Sequence, residues 1–175
     1  MRVSGKFVGI VILLSGLIAG ASLYYLQVYG FYAAVPAPQG GVQLVSVVSD
    51  APEEIPVSGF EAIDADSSPI RYRACFQTDL SLAMLTETYV GLDAPAPRNA
   101  PYWFDCFDAE NIGAELEAGT MLAFLGRKNI HYGVDQIVAI SDDGRGYIWH
   151  ELNACGEKAY DGTVVGEECP PLERN

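Results

Sequence analysis

Apolar residues run unbroken by any charge from Phe7 to Tyr29, and only after that does the chain begin to alternate. At about 1.5 Å per residue, a helix of this length spans about 35 Å, enough to cross a hydrocarbon core of about 30 Å with some tilt. In lipid the backbone must satisfy its own hydrogen bonds, which makes the segment a helix. Further on, Ile70, Tyr72, Ala74 and Phe76 alternate with Arg71, Arg73 and Cys75, so residues 68–77 read as a strand. Asp79 opens a short helix carrying Leu80, Leu82, Met84 and Leu85 to about Tyr89, followed by a Pro-rich loop, 92–101. Asp108 has the character of an N-cap, with Glu110 in the first turn and Gly119 just past the end of a second helix.

Residues 120–125, 130–140 and 146–152 then read as three strands, the last two joined by the turn signal Asp142-Asp143-Gly144-Arg145. The pattern predicts an α+β fold: an antiparallel sheet ending in a three-stranded meander, with two helices on one of its faces. The organisation expected is a cytoplasmic N-terminus (1–6), a transmembrane helix (7–29), a linker and loosely structured arm (30–58) and a disulfide-stapled domain (59–175). Within the arm, Ala33 to Gly41 is rich in Pro, Gly and Ala, which suits a spacer lifting the domain off the membrane.

Charge sets the topology. Arg2 and Lys6 precede the span and keep that end in the cytoplasm, while Tyr24, Tyr25, Tyr29, Phe31 and Tyr32 form an aromatic belt at the other end. A cleaved signal peptide ending at Ala19-Gly20-Ala21 is the rival reading. Apolar character continues for about eight residues beyond that site, which favours an uncleaved anchor. The part beyond the span holds eight basic and 23 acidic residues, a net charge of −15. Such a charge argues against nucleic acid as a partner, since binding phosphate needs positive surface.

Along the span, Gly5, Gly9, Gly16 and Gly20 share one side, with Gln27 beside them. Gly16-x-x-x-Gly20 lets two helix backbones approach closely, and an aligned amide can hydrogen-bond across the contact. The partners expected are therefore the bilayer itself and a second helix, from another copy of the chain or from a larger membrane complex.

Cys75, Cys106, Cys155 and Cys169 all follow the span, with no C-x-x-C pair among them. An even count in an oxidising compartment predicts two disulfides, with Cys75–Cys106 and Cys155–Cys169 favoured among three connectivities. Catalytic and cofactor motifs fail on residues their chemistry requires. His150-Glu151 lacks a second histidine at position 154, and Asp64-x-Asp66-x-Ser68 has Pro69 where a calcium loop needs Gly. No cofactor, metal or catalytic residue is assigned. The one ligand surface the pattern allows comprises Arg71 and Arg73, on one face of their strand and able to clamp an anion, together with His131, Tyr132, Trp149 and His150. A hairpin symmetrical about Asp143-Gly144 would set His150 opposite Ile137, pair Ile140 with Tyr147 and Val138 with Trp149, and leave His131 beyond the paired region, so that the two histidines are not cross-strand neighbours.

Leu23-Tyr24-Tyr25-Leu26-Gln27-Val28-Tyr29, the stretch from Gly59 to Phe76, Trp103-Phe104-Asp105-Cys106-Phe107-Asp108 and Asn129-Ile130-His131-Tyr132-Gly133 resemble an uncharacterised family of alphaproteobacterial single-span envelope proteins. The resemblance covers nearly the whole chain. It implies an inner-membrane location with the domain in the periplasm, and no activity. The function expected is a membrane-anchored accessory or interaction protein, with a small-ligand (anion) binding module as the alternative and an enzyme third.

Overall fold

Seven strands pair antiparallel throughout in a computed structural model that describes residues 4–93, 95–167 and 169–171. Arg2 and the last four residues of the expected domain lie outside the described residues. The chain opens with α1 (Gly5–Tyr25), which runs directly into a π-helical turn, Leu26–Gly30. Together these make an apolar helix of 26 residues, none of it buried, long enough to cross a membrane. β1 (Ala33–Ala34), β2 (Val42–Val45), β3 (Pro52–Ile55), β4 (Ser58–Asp64) and β5 (Arg73–Gln77) follow. Then come α2 (Leu82–Thr88), β6 (Gly91–Leu92), α3 (Ala109–Ala118), β7 (Met121–His131), β8 (Val134–Ser141) and β9 (Arg145–Leu152). The large sheet runs β1-β4-β5-β9-β8-β7-β6, and β2 and β3 form a separate hairpin. The α+β class holds.

Both faces of the large sheet are packed, because alternation along each central strand is apolar on both sides. Ala74, Phe76, Val138, Ile148 and Phe124 point to one face, where Val42, Leu44 and Ile55 of the hairpin and Leu85 of α2 cover them. Cys75, Ile137, Tyr147 and Trp149 point to the other, beneath Phe104, Phe107 and Ile112 of α3. The two helices therefore lie on opposite faces, not on one as the pattern suggested. Amphipathic spacing shows that each helix has an apolar stripe but not which side of a two-sided sheet receives it.

The stretch read as a spacer and loose arm is tied down. β1 pairs with β4, and the Val35 amide donates to the Ala62 carbonyl at 3.0 Å. Val42, Leu44 and Ile55 are essentially inaccessible. β5 starts at Arg73 rather than 68, since Pro69 has no amide to donate and Ser68–Arg71 forms a turn instead. Ser81, not Asp79, caps α2, accepting from the Met84 amide. Asp108 and Gly119 bracket α3 as expected, the aspartate accepting from the amides of Glu110 and Asn111 and the glycine adopting φ 73°.

The meander departs from expectation in two places. β7 continues to His131 and turns at once through Tyr132-Gly133 into β8, where a gap before residue 130 was expected. Across the next turn the register is shifted by one residue: Ile140 faces Gly146, Ile137 faces Trp149 and Gln136 faces His150. Three residues, Asp142 to Gly144, connect β8 to β9 with Gly144 at φ 84°. An odd loop offsets a hairpin by one position relative to a symmetric turn and exchanges the faces of every pair.

Candidate functional site

Two assemblies stand out against this core: a cavity holding both histidines, and the junction between the apolar helix and the domain. The cavity, about 260 Å³, is lined by Asp64, Tyr72, Arg127, His131, Gln136 and His150. β9 carries His150 inward on the face opposite Trp149, so consecutive residues serve different sides of the sheet. His150 is 5% exposed and stacks on Tyr72, ring centroids 4.6 Å apart and planes 8° from parallel.

Its Nδ1 lies 2.8 Å from the Pro69 carbonyl oxygen, which can only accept, so Nδ1 carries the proton. Nε2 is left as the acceptor, 3.5 Å from the Gln136 amide nitrogen. Burial, reinforced by His131, Arg73 and Arg127, lowers the His150 pKa to about 4 against the opposing pull of the Pro69 bond. Burial and the nearby Asp64 raise that of Tyr72, which stays a phenol. Between them the two rings offer one acceptor and one hydroxyl at neutral pH. Asp64, Arg127 and Gln136 add a carboxylate, a guanidinium and an amide to the lining, so the cavity is equipped to hydrogen-bond a small polar group.

His131 and His150 are not cross-strand partners, as expected, since His131 faces Val134 and His150 faces Gln136, yet their ring centroids come within 6.5 Å. Register irregularities between Leu125 and His131, with Asn129 at φ 51°, re-aim the end of β7. Asp135 holds that irregularity: its Oδ1 accepts from the Asn129 amide at 2.8 Å and from the Asn153 side chain at 2.7 Å. Trp149 does not share the histidine surface; it is fully buried across the sheet, its indole donating to Glu151 at 2.6 Å. Tyr132 sits exposed on the turn.

At the junction, the Trp103 indole donates to the Val28 carbonyl at 2.7 Å and stacks on Tyr29 at 6.2 Å. Tyr102 meets Tyr29 edge-on at 5.9 Å, and Tyr32 packs against Trp103. Arg71 donates to the Gln27 side-chain oxygen at 2.6 Å and lies over the Tyr32 ring. Gln27, expected to face a second helix, is thus bonded within its own chain. Trp103 and Tyr102 were visible in the sequence only as aromatics flanking Cys106; no local pattern ties them to a helix 75 residues earlier.

Arg71 and Arg73 do not form a clamp. Arg73 is buried and donates to four backbone carbonyls, of Tyr72 (2.6 Å), Arg98 (2.8 Å), Ile70 (2.9 Å) and Asn99 (3.1 Å). Burial lowers its pKa to about 10, where it remains a cation. Cys75 pairs with Cys106 and Cys155 with Cys169. The first bond fastens β5 to the loop carrying Trp103, and so braces the junction. Gly9, Gly16 and Gly20 are exposed, and a methyl group at any of them would touch nothing within 4 Å.

Residues 42–170 match the family of unknown function DUF6446. The chain belongs to that family. No curated protein and no solved structure matches it. The matched region starts at Val42, the first residue of the β2–β3 hairpin, so the DUF6446 domain includes the hairpin that seals one core and excludes the apolar helix.

Proposed function

We propose that this protein is a membrane-anchored, non-enzymatic accessory module: α1 spans the inner membrane with Arg2 and Lys6 in the cytoplasm, and the DUF6446 domain stands in the periplasm as an interaction platform. The observation that carries the reading is the Trp103–Val28 hydrogen bond, which seats the domain on the end of its helix in place of a flexible tether. Two disulfides suit the oxidising side of the membrane. The exposed line of Gly9, Gly16 and Gly20 suits close approach of another helix, in a homodimer or a larger membrane complex.

Mild-detergent pull-down of the tagged full chain tests this reading. A second copy or a membrane protein should co-purify, and Gly16→Leu with Gly20→Leu should abolish it. Recovery as a lone monomer, indifferent to both substitutions, would refute the platform. A phosphatase fused at the C-terminus should be active; a fusion active only in the cytosol would overturn the orientation.

The histidine cavity favours a second reading, a small-ligand binding module. A thermal-shift screen of small polar metabolites against the wild type and His150→Gln separates it from the first, since specific stabilisation should vanish in the variant.

A further inference from the structure

The domain is strongly acidic, yet three of its eight basic residues meet in one cleft of about 400 Å³ at the foot of the anchor helix: Arg71, Arg73 and Arg98, beside Gln27, Tyr32 and Ser68. Among the described residues no carboxylate lines it. Elsewhere two cations are paired, Arg145 with Asp143 and Glu115, and Lys128 with Glu167, while Arg127 and Lys158 take part in no ion pair among the described residues. Among the described residues neither Arg71 nor Arg98 takes part in an ion pair, and Arg73 is committed to backbone carbonyls. Arg71 Nη1 is buried and meets no acceptor, although its Nη2 is bonded to Gln27. A guanidinium half-satisfied beside a second, exposed one leaves bidentate donor capacity without an anion to fill it.

The height of the cleft selects the anion. Gln27 lies three residues before the end of the apolar helix at Gly30, so Arg71, bonded to it, sits in the headgroup layer when α1 spans the bilayer. Exposed Tyr24, Tyr25 and Tyr102 surround that level, the belt position of interfacial aromatics. We infer that this cleft holds the phosphodiester of an outer-leaflet phospholipid, one oxygen on Arg71 and another on Arg98, with the Ser68 hydroxyl in reach. The inference rests on the anchored reading above. It gives an acidic domain a cationic foot where it meets the lipid surface.

The full chain in uncharged detergent, titrated with short-chain phosphatidylglycerol, with the matching diacylglycerol and with inorganic phosphate, tests it through tryptophan fluorescence, because Trp103 packs against Tyr32 of the cleft whereas Trp149 is fully buried in the core. Phosphatidylglycerol should give a saturable change, diacylglycerol none. Affinity should fall at least tenfold in Arg98→Gln, since the Arg98 side chain makes no hydrogen bond or ion pair among the described residues, and disappear in Arg71→Gln with Arg98→Gln. Equal responses of wild type and Arg98→Gln, or of the two lipids, would overturn the inference. Inorganic phosphate binding as tightly as the phospholipid would overturn the lipid source in favour of a free anion. Alkaline carbonate extraction scores the anchor separately: a chain that resists extraction yet ignores phosphatidylglycerol refutes only the headgroup site.

Discussion

Tyr72 and His150 stack face to face at 4.6 Å, and the same packing that seats the imidazole denies it a proton. An unfolded histidine titrates near 6.5, whereas His150 in the fold does so at about 4. Above pH 6.5 both states are neutral and its contribution to stability is fully present. As pH falls toward 4 the unfolded chain takes up a proton that the folded one refuses, and stability drops by about 3 kcal/mol. Urea melts at pH 7.5 and 4.5 should show that loss in wild type and a smaller one in His150→Gln, since carboxylates contribute equally to both. Identical pH dependence in the two proteins would show that His150 does not titrate as argued.

Trp103 is the pin of the junction. Removing its indole bond and its stacking on Tyr29 costs about 2 kcal/mol, roughly a 30-fold rise in opening. In detergent, Trp103→Ala should expose residues 31–41 to limited proteolysis while the melting of the disulfide-linked core changes little. Unaltered resistance of that segment would mean that the seat is held elsewhere.

Arg73 feeds four carbonyls from one planar fork. Lysine supplies three donors from a single point and cannot reach all four acceptors. Arg73→Lys is expected to destabilise by about 2 kcal/mol and Arg73→Leu by about 3 kcal/mol or more. Shifts in the urea midpoint measure both; equal stabilities of wild type and Arg73→Lys would contradict the account.

Gly146 faces Phe76 across β5 and β9, and a Cβ at that position would enter the Phe76 ring. Gly146→Ala should cost about 1–3 kcal/mol through overpacking. Trimming the ring in the Phe76→Leu background should recover part of the loss. Strict additivity of the two substitutions would exclude the clash.

Features encoded within a few residues were legible in the sequence. The uncharged run marks the apolar helix, Asp108 and Gly119 mark the ends of α3, and the spacing of Cys155 and Cys169 marks a short staple. What escaped depends on distant parts. A three-residue loop in place of a symmetric one moved Tyr147 and Trp149 to the face opposite Ile140 and Val138. Periodicity could not tell which face of the sheet α2 and α3 would each cover. Val42 to Ile55 looked like an arm because its outward residues are acidic, although Val42, Leu44 and Ile55 seal a core. The histidine cavity needed the irregularity at Asn129, which no residue pattern announced.

β1 is only two residues long, and it is the first element of the domain that the helix reaches. If the helix is anchored as proposed, tension between bilayer and domain would be carried along that path, onto the ladder joining Ala33 to Asp64 and Ala34 to Ile63. Once the Trp103 pin yields, those rungs open one after another from the sheet's margin rather than sharing the load in shear. Under the anchored reading, a pull on the helix would thus cost the chain its two-rung margin before the longer ladders of the sheet were touched.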